Sequence, residues 1–140
     1  MKKLTIAVPL AALLLLTGCV NRTKIKNNII AMYRENEALF AQAAASGDFS
    51  AIEALPGTES VFCDDDHVDV YCHGLGFGPS TSYFGIFYSP SDDMSAAYGK
   101  LPDGALQPEG TGWRYLQPES DNRYYVEPLG NHYFYYEESY

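Results

Sequence analysis

The chain has 140 residues, of which 46% are hydrophobic, 14% aromatic and 19% charged, with 9 basic side chains against 18 acidic ones. That length holds one domain, and the apolar and aromatic share excludes a disordered acidic tail. A net charge of −9 argues against a nucleic-acid binder, which needs a basic face to displace counterions from phosphates.

The N-terminus reads as an address. Lys2 and Lys3 precede an apolar stretch from Leu4 to Leu16, too short for a bilayer core that takes roughly 20 helical residues. Its length and flanks predict a secretory signal peptide over residues 1–18. The stretch ends in Leu16-Thr17-Gly18-Cys19: an aliphatic residue, two small residues and a cysteine. These four residues resemble the lipobox of bacterial lipoproteins. The resemblance implies cleavage between Gly18 and Cys19, diacylglycerol on the Cys19 thiol and acylation of the new amino group. The mature chain is then exported and anchored to a membrane through lipid. In a host with two membranes, Val20 in place of a retention aspartate implies the outer membrane, facing the periplasm.

Removing Lys2 and Lys3 leaves 7 basic and 18 acidic residues, a net of −11 over residues 19–140. Four of the seven, Arg22, Lys24, Lys26 and Arg34, fall before residue 35, so residues 35–140 carry 3 basic and 18 acidic residues, or −15. Residues 19–24 form a basic tether, drawn to anionic headgroups by about 1 kcal/mol per Lys or Arg. The acidic body either stands off from the membrane or is simply a solvated surface. With Cys19 lipidated, Cys63 and Cys72 are an even pair in an oxidising compartment. A disulfide worth ~2–3 kcal/mol is expected, the alternative being two buried free thiols.

The domain proper spans 25–140. From Ile25 to Ala45 there is no Pro or Gly, and Ile25, Ile29, Met32, Leu39, Phe40 and Ala43 recur at helical spacing. Ser46-Gly47 supplies the stop. Asp48 and Ser50-x-x-Glu53 predict a second short helix to about Leu55, ended by Pro56-Gly57. Strand texture follows. Val61–Cys72 suits a hairpin whose loop includes Asp64-Asp65-Asp66-His67. A disulfide requires this loop to be wide, because a tight four-residue loop places Val68 opposite Cys63 and keeps the sulfurs apart.

Tyr83–Ser89 is a third strand, with Gly85 marking a bulge or a close backbone approach. Residues 90–111 read as a long loop, and Gly112–Leu116 as a short strand. Gly130-Asn131 predicts a two-residue turn joining Arg123–Leu129 to His132–Glu138, with Tyr125 opposite Tyr136 and Arg123 opposite Glu138. The elements add up to an α+β fold: one long N-terminal helix packed on an antiparallel β-sheet of about five strands. The stretches Tyr83–Asp93 and Asp121–Glu137 are similar in texture to small exported bacterial proteins of unassigned function, and no activity is carried across.

No catalytic constellation stands out, and no enzyme and no cofactor are expected. Asp64, Asp66 and Asp69 are candidate ligands for a hard cation, but the loop lacks an EF-hand's glycine and distant glutamate. It reads rather as a solvated tip that blocks edge pairing. His67, His73 and His132 lack zinc spacing. Gly74-x-Gly76-x-Gly78 opens no helix and reads as a flexible connection, and no serine sits in a nucleophile elbow. Strand alternation sends Cys72 and His73 to opposite faces. The aromatic load is larger than a small core needs: 12 Tyr, 7 Phe and Trp113.

Tyr124, Tyr133, Tyr135 and Trp113 are the candidate binding surface for an envelope protein or glycan, unless the sheet is covered on both sides. The resulting expectation is a membrane-anchored, non-enzymatic binding module. The alternatives are an inhibitor or immunity protein against a basic toxin or cell-wall hydrolase, and a cation-dependent hydrolase.

Overall fold

A computed structural model describes residues 7–140, with side chains from Asn21 onward; the side chains of the Leu16–Cys19 motif and residues 1–6 of the expected signal peptide lie outside the described residues. Three helices come first: α1 (Ala7–Glu35), α2 (Glu37–Ser46) and α3 (Ser50–Glu53). Seven strands follow: β1 (Ser60–Cys63), β2 (Val68–Phe77), β3 (Ser80–Tyr88), β4 (Gln107–Glu109), β5 (Gly112–Leu116), β6 (Arg123–Gly130) and β7 (Tyr133–Ser139). All are antiparallel, in the order β1-β2-β3-β7-β6-β5-β4. Among the described residues no helix is long and apolar enough to cross a membrane.

This overturns the expectation of one long helix on about five strands. The helix expected over 25–45 breaks at Asn36, whose side-chain amide donates to the Met32 carbonyl at 2.8 Å while its own carbonyl accepts from Leu39 and Phe40. An amide side chain that competes for backbone groups ends one helix and starts another. Gly47 closes α2 at φ 74, its N–H bonded to the Ala43 carbonyl. Residues 19–24 are not a separate tether: α1 runs through them, and Arg22 is docked against β3 through the Ser82 hydroxyl at 2.6 Å.

The extra strands come from segments without clean alternation. β2 does not end at Cys72 but continues through the glycine-rich stretch, where Gly74 pairs with Tyr83 and Gly76 with Thr81. Part of the loop expected over 90–111 is β4, paired with β5. The last hairpin turns on Asn131 and His132, both at positive φ (53° and 66°), rather than on Gly130-Asn131. Asn and His are among the residues that accept this region most readily. A register shift between Pro128 and Gly130 then sets Tyr125 opposite Glu137 and Arg123 opposite Ser139, in place of the expected Tyr136 and Glu138.

The sheet is covered on both faces. On one, Ile29, Tyr33, Phe40 and Ile52 of the helices pack on Val70, Phe84, Ile86, Tyr133 and Tyr135. Tyr33, Phe40 and Tyr133 have ring centroids 5.0–5.5 Å apart, and the Tyr133 hydroxyl donates to the Phe40 carbonyl at 2.7 Å. On the other face, Met94, Tyr98, Leu101 and Leu106 of the 90–106 segment lie over Phe87, Tyr124, Val126, Phe134 and Tyr136.

The expected disulfide is absent. Cys63 pairs directly with Val68, the tight-loop register, so Cys72 sits four residues further along β2, roughly 13 Å away at about 3.3 Å per residue. Cys63 is exposed and Cys72 buried, both as free thiols. Without reduction, alkylation should therefore label Cys63 in the native chain and Cys72 only after unfolding; two thiols that stay unlabelled until reduced would contradict this register.

Gly85 is a close approach, as its position suggested. A Cβ there would lie 2.5 Å from the Val70 carbonyl oxygen and 2.8 Å from the Tyr136 ring. Gly85→Ala should cost about 2 kcal/mol or more in denaturant unfolding, since neither the strand nor the ring can yield freely.

Candidate functional site

Tyr124, Tyr133 and Tyr135 are all fully buried, and Trp113 is half-buried against the second core. The four therefore do not form a binding surface. Their rings fill the two covered faces, and hydroxyls are satisfied inside the protein, as where Tyr124 donates to the Met94 carbonyl at 2.8 Å.

A different set of tyrosines is accessible. Across the sheet at one level, register sets Gly74 beside Tyr83, Tyr83 beside Glu138, Glu138 beside Tyr124 and Tyr124 beside Tyr115. Tyr71 and Tyr83 have ring centroids 6.1 Å apart, Tyr83 and Tyr140 6.2 Å, Tyr140 and Tyr98 6.3 Å, and Tyr98 and Tyr115 5.7 Å. The rings form one continuous row over β2, β3, the end of β7 and β5. Tyr83 is 38% and Tyr140 40% exposed, and Tyr71, Tyr98 and Tyr115 are half-buried. The 90–106 segment packs over Phe87 and the β5–β7 part of this face, so Tyr83 on β3 stays partly open and Phe62 on the edge strand is 64% exposed.

Glu138 sits in the middle of the row. It is half-buried, and its carboxylate accepts from the Tyr140 hydroxyl at 3.1 Å. Burial pushes its pKa up to about 7, the Tyr140 hydrogen bond opposes that, and the nearby Asp69 carboxylate adds to it. Asp69 is itself raised, chiefly by burial, while accepting from the Tyr136 hydroxyl at 2.9 Å. The result is a carboxyl group that is half-ionised near neutrality, walled by aromatic rings and open to solvent. Such a group gains most from an incoming cation, which restores its charge and lies against the negative faces of the rings.

The other nominated residues are dispersed. Asp64, Asp66 and His67 lie within 4.8 Å of one another at the β1–β2 loop, with His67 Nδ1 2.7 Å from Asp66. Asp69 is not part of that cluster: it is bonded to Tyr136, on the face of the sheet that carries Glu138. The bulge between Tyr71 and His73 brings Cys72 and His73 to one cavity beside α1, against the expected alternation. Burial pushes the Cys72 thiol up to about 12, so it is no nucleophile.

No family model, no curated protein and no solved structure matches this chain. The sequence signal that would have found the site is the register: a turn on Asn131-His132 that pairs Gly130 with Tyr133, followed by the bulge at Leu129, moves Glu138 from Arg123 to Tyr124.

The folded Glu138 holds its proton to a higher pH than the unfolded one, whose value is 4.5. Its contribution to stability is complete below that value and lost as pH rises through about 7. Glu138→Gln should therefore become more stable than the parent on going from about pH 5 to about pH 8, by on the order of 1–2 kcal/mol for a partly solvated group. Urea unfolding of both proteins across that range checks it, and parallel pH profiles would contradict it.

Proposed function

We propose that this chain is a non-enzymatic binding module held at an envelope membrane by lipid on Cys19, and that its tyrosine row takes a cationic side chain of a basic protein. Glu138 within that row is the observation that carries the reading. Tyrosine is a favoured anchor at protein interfaces, ring faces attract ammonium and guanidinium groups, and the carboxylate supplies the counter-charge. The −15 carried by residues 35–140 steers a basic partner toward the surface and gives the encounter a salt-sensitive rate. An inhibitor or immunity protein against a basic toxin or cell-wall hydrolase is this same chemistry with the partner specified.

The anchor half of the proposal rests on the lipoprotein-like motif ending at Cys19, and Val20 supports the outer membrane in a host that has one. The native product should begin at residue 19 and carry a thioether-linked glyceride, and Cys19→Ser should release it from the membrane. A product retaining residues 1–18 would contradict this half. For the site, titration with an oligolysine peptide at low salt should give saturable binding, weakened about fivefold by Tyr83→Ala or Tyr140→Ala and more by Glu138→Gln. Unchanged affinity in all three variants, or binding of a neutral oligosaccharide instead, would overturn it.

A further inference from the structure

The second uncovered area lies on the other side of the sheet, where α1 leaves the β4–β6 end bare. A cavity of about 470 Å³ opens there, and Arg22, Lys26, Arg114 and Arg123 line it. These are four of the seven basic residues after Lys3 in a chain with 18 acidic ones. Their gathering is not a consequence of neighbouring sequence: two come from α1, one from β5 and one from β6.

Two of the four are held in place. Arg22 donates to the Ser82 hydroxyl at 2.6 Å and lies 3.9 Å from Glu137. Lys26 donates to Glu127 and to the Tyr125 hydroxyl, over the Tyr125 ring at 4.6 Å. The two strand arginines are freer. Arg114 meets Glu109 at 3.1 Å, both groups nearly half exposed, and Arg123 has no ion pair among the described residues. Tyr125 pairs with Arg114, and Arg123 is two residues along β6 on the same face. Side chains so placed are diagonal neighbours within reach of one bound group. With Glu109, Glu127 and Glu137 counted against them, the four cations leave this region at +1, while the remaining 3 basic and 15 acidic residues after Lys3 give −12.

We infer that this cavity binds an oxyanion, a phosphate group, between Arg114 and Arg123. Guanidinium forks match the paired oxygens of such a group, and Arg123 is left without a carboxylate to compete for it. Arg22 is three residues beyond Cys19, about 4.5 Å along the helix axis. The cavity is thus at the end of the domain nearest the proposed anchor, where phospholipid headgroups are the most abundant source of phosphate. Only that choice of source rests on the anchoring proposal. The binding chemistry is on the opposite face from the tyrosine row and is independent of it.

The test uses the full chain in phosphate-free maltoside detergent, titrated calorimetrically with inorganic phosphate. Saturable binding is expected, weakened at least tenfold in Arg114→Ser/Arg123→Ser with the thermal midpoint unchanged, and weakened to a lesser degree in Arg123→Ser alone. No saturable heat, an adequately folded double variant that binds like the parent, or equal binding of chloride would overturn the inference. Repeating the titration in nanodiscs distinguishes the sources. Suppression by phosphatidylglycerol, but not by a phosphate-free glycolipid, assigns the cavity to a headgroup; equal phosphate binding in both assigns it to the phosphate of a soluble ligand. Failure of the oligolysine titration on the other face would leave these outcomes unchanged.

Discussion

Seven strands present two faces wider than anything this chain has to cover them. Six inter-strand spacings make a sheet roughly 29 Å across, whereas a helix is about 10–12 Å wide. The helices therefore cover β1, β2, β3, β7 and the Leu129 end of β6 on one side, and the 90–106 segment covers the Phe87 end of β3 with β7, β6 and β5 on the other. Their coverage is offset. What it leaves bare are two diagonally opposed areas, one over β1, β2 and the Tyr83 end of β3, where the tyrosine row emerges, and one over β4, β5 and the Arg123 end of β6, beside the four cations. Both candidate sites are consequences of that single mismatch between sheet width and cover.

The centre of the sheet makes the arrangement rigid. β3 and β7 are buried from both sides, so their side chains alternate between two cores: Phe84, Ile86, Tyr133 and Tyr135 toward the helices, Phe87, Phe134 and Tyr136 toward the loop. Gly85 is needed where Tyr136 crosses over β3 to reach Asp69. Among the described residues no buried side-chain nitrogen or oxygen lacks a hydrogen-bond partner, so the many tyrosine hydroxyls carry no unmet desolvation cost. Burial raises the pKa of Asp69 and Glu138 against the opposing hydrogen bonds from Tyr136 and Tyr140, and burial beside those carboxylates raises the two tyrosines. The electrostatics of the candidate site are thus set by the same packing that holds the sheet together.

Much of this was legible in the sequence, for local reasons. The α1 and α2 residues Ile29, Met32, Phe40 and Ala43 have helical periodicity and do face the sheet. The tight β1–β2 loop, with Val68 opposite Cys63, is the arrangement that forbids a disulfide, and it prevails over the pairing that an even number of cysteines in an oxidising compartment predicts. The alternation of Tyr133 and Tyr135 against Phe134 and Tyr136 was also visible. What stayed hidden depends on tertiary context. Whether a face is exposed depends on the 90–106 segment, whose composition shows no period. The register of β6 on β7 depends on a one-residue bulge, and a one-residue slip exchanges every cross-strand partner. Tyr83, Tyr140 and Glu138 are unremarkable in the chain and become a site only when β3, β7 and β5 align. Arg22 and Arg123 are 101 residues apart in sequence, which no local pattern can join.

The most direct test of the offset coverage is to map tyrosine accessibility by limited nitration and peptide mass spectrometry. The phenolate is the reactive form, and burial suppresses it, so the order of modification reports which areas are bare. Tyr83 should react first, Tyr71, Tyr98, Tyr115 and the Glu138-bonded Tyr140 more slowly, and Tyr33, Tyr124, Tyr133, Tyr135 and Tyr136 only after unfolding. Early nitration of Tyr124, Tyr133 and Tyr135 in the native chain would show that the two faces are not covered as described.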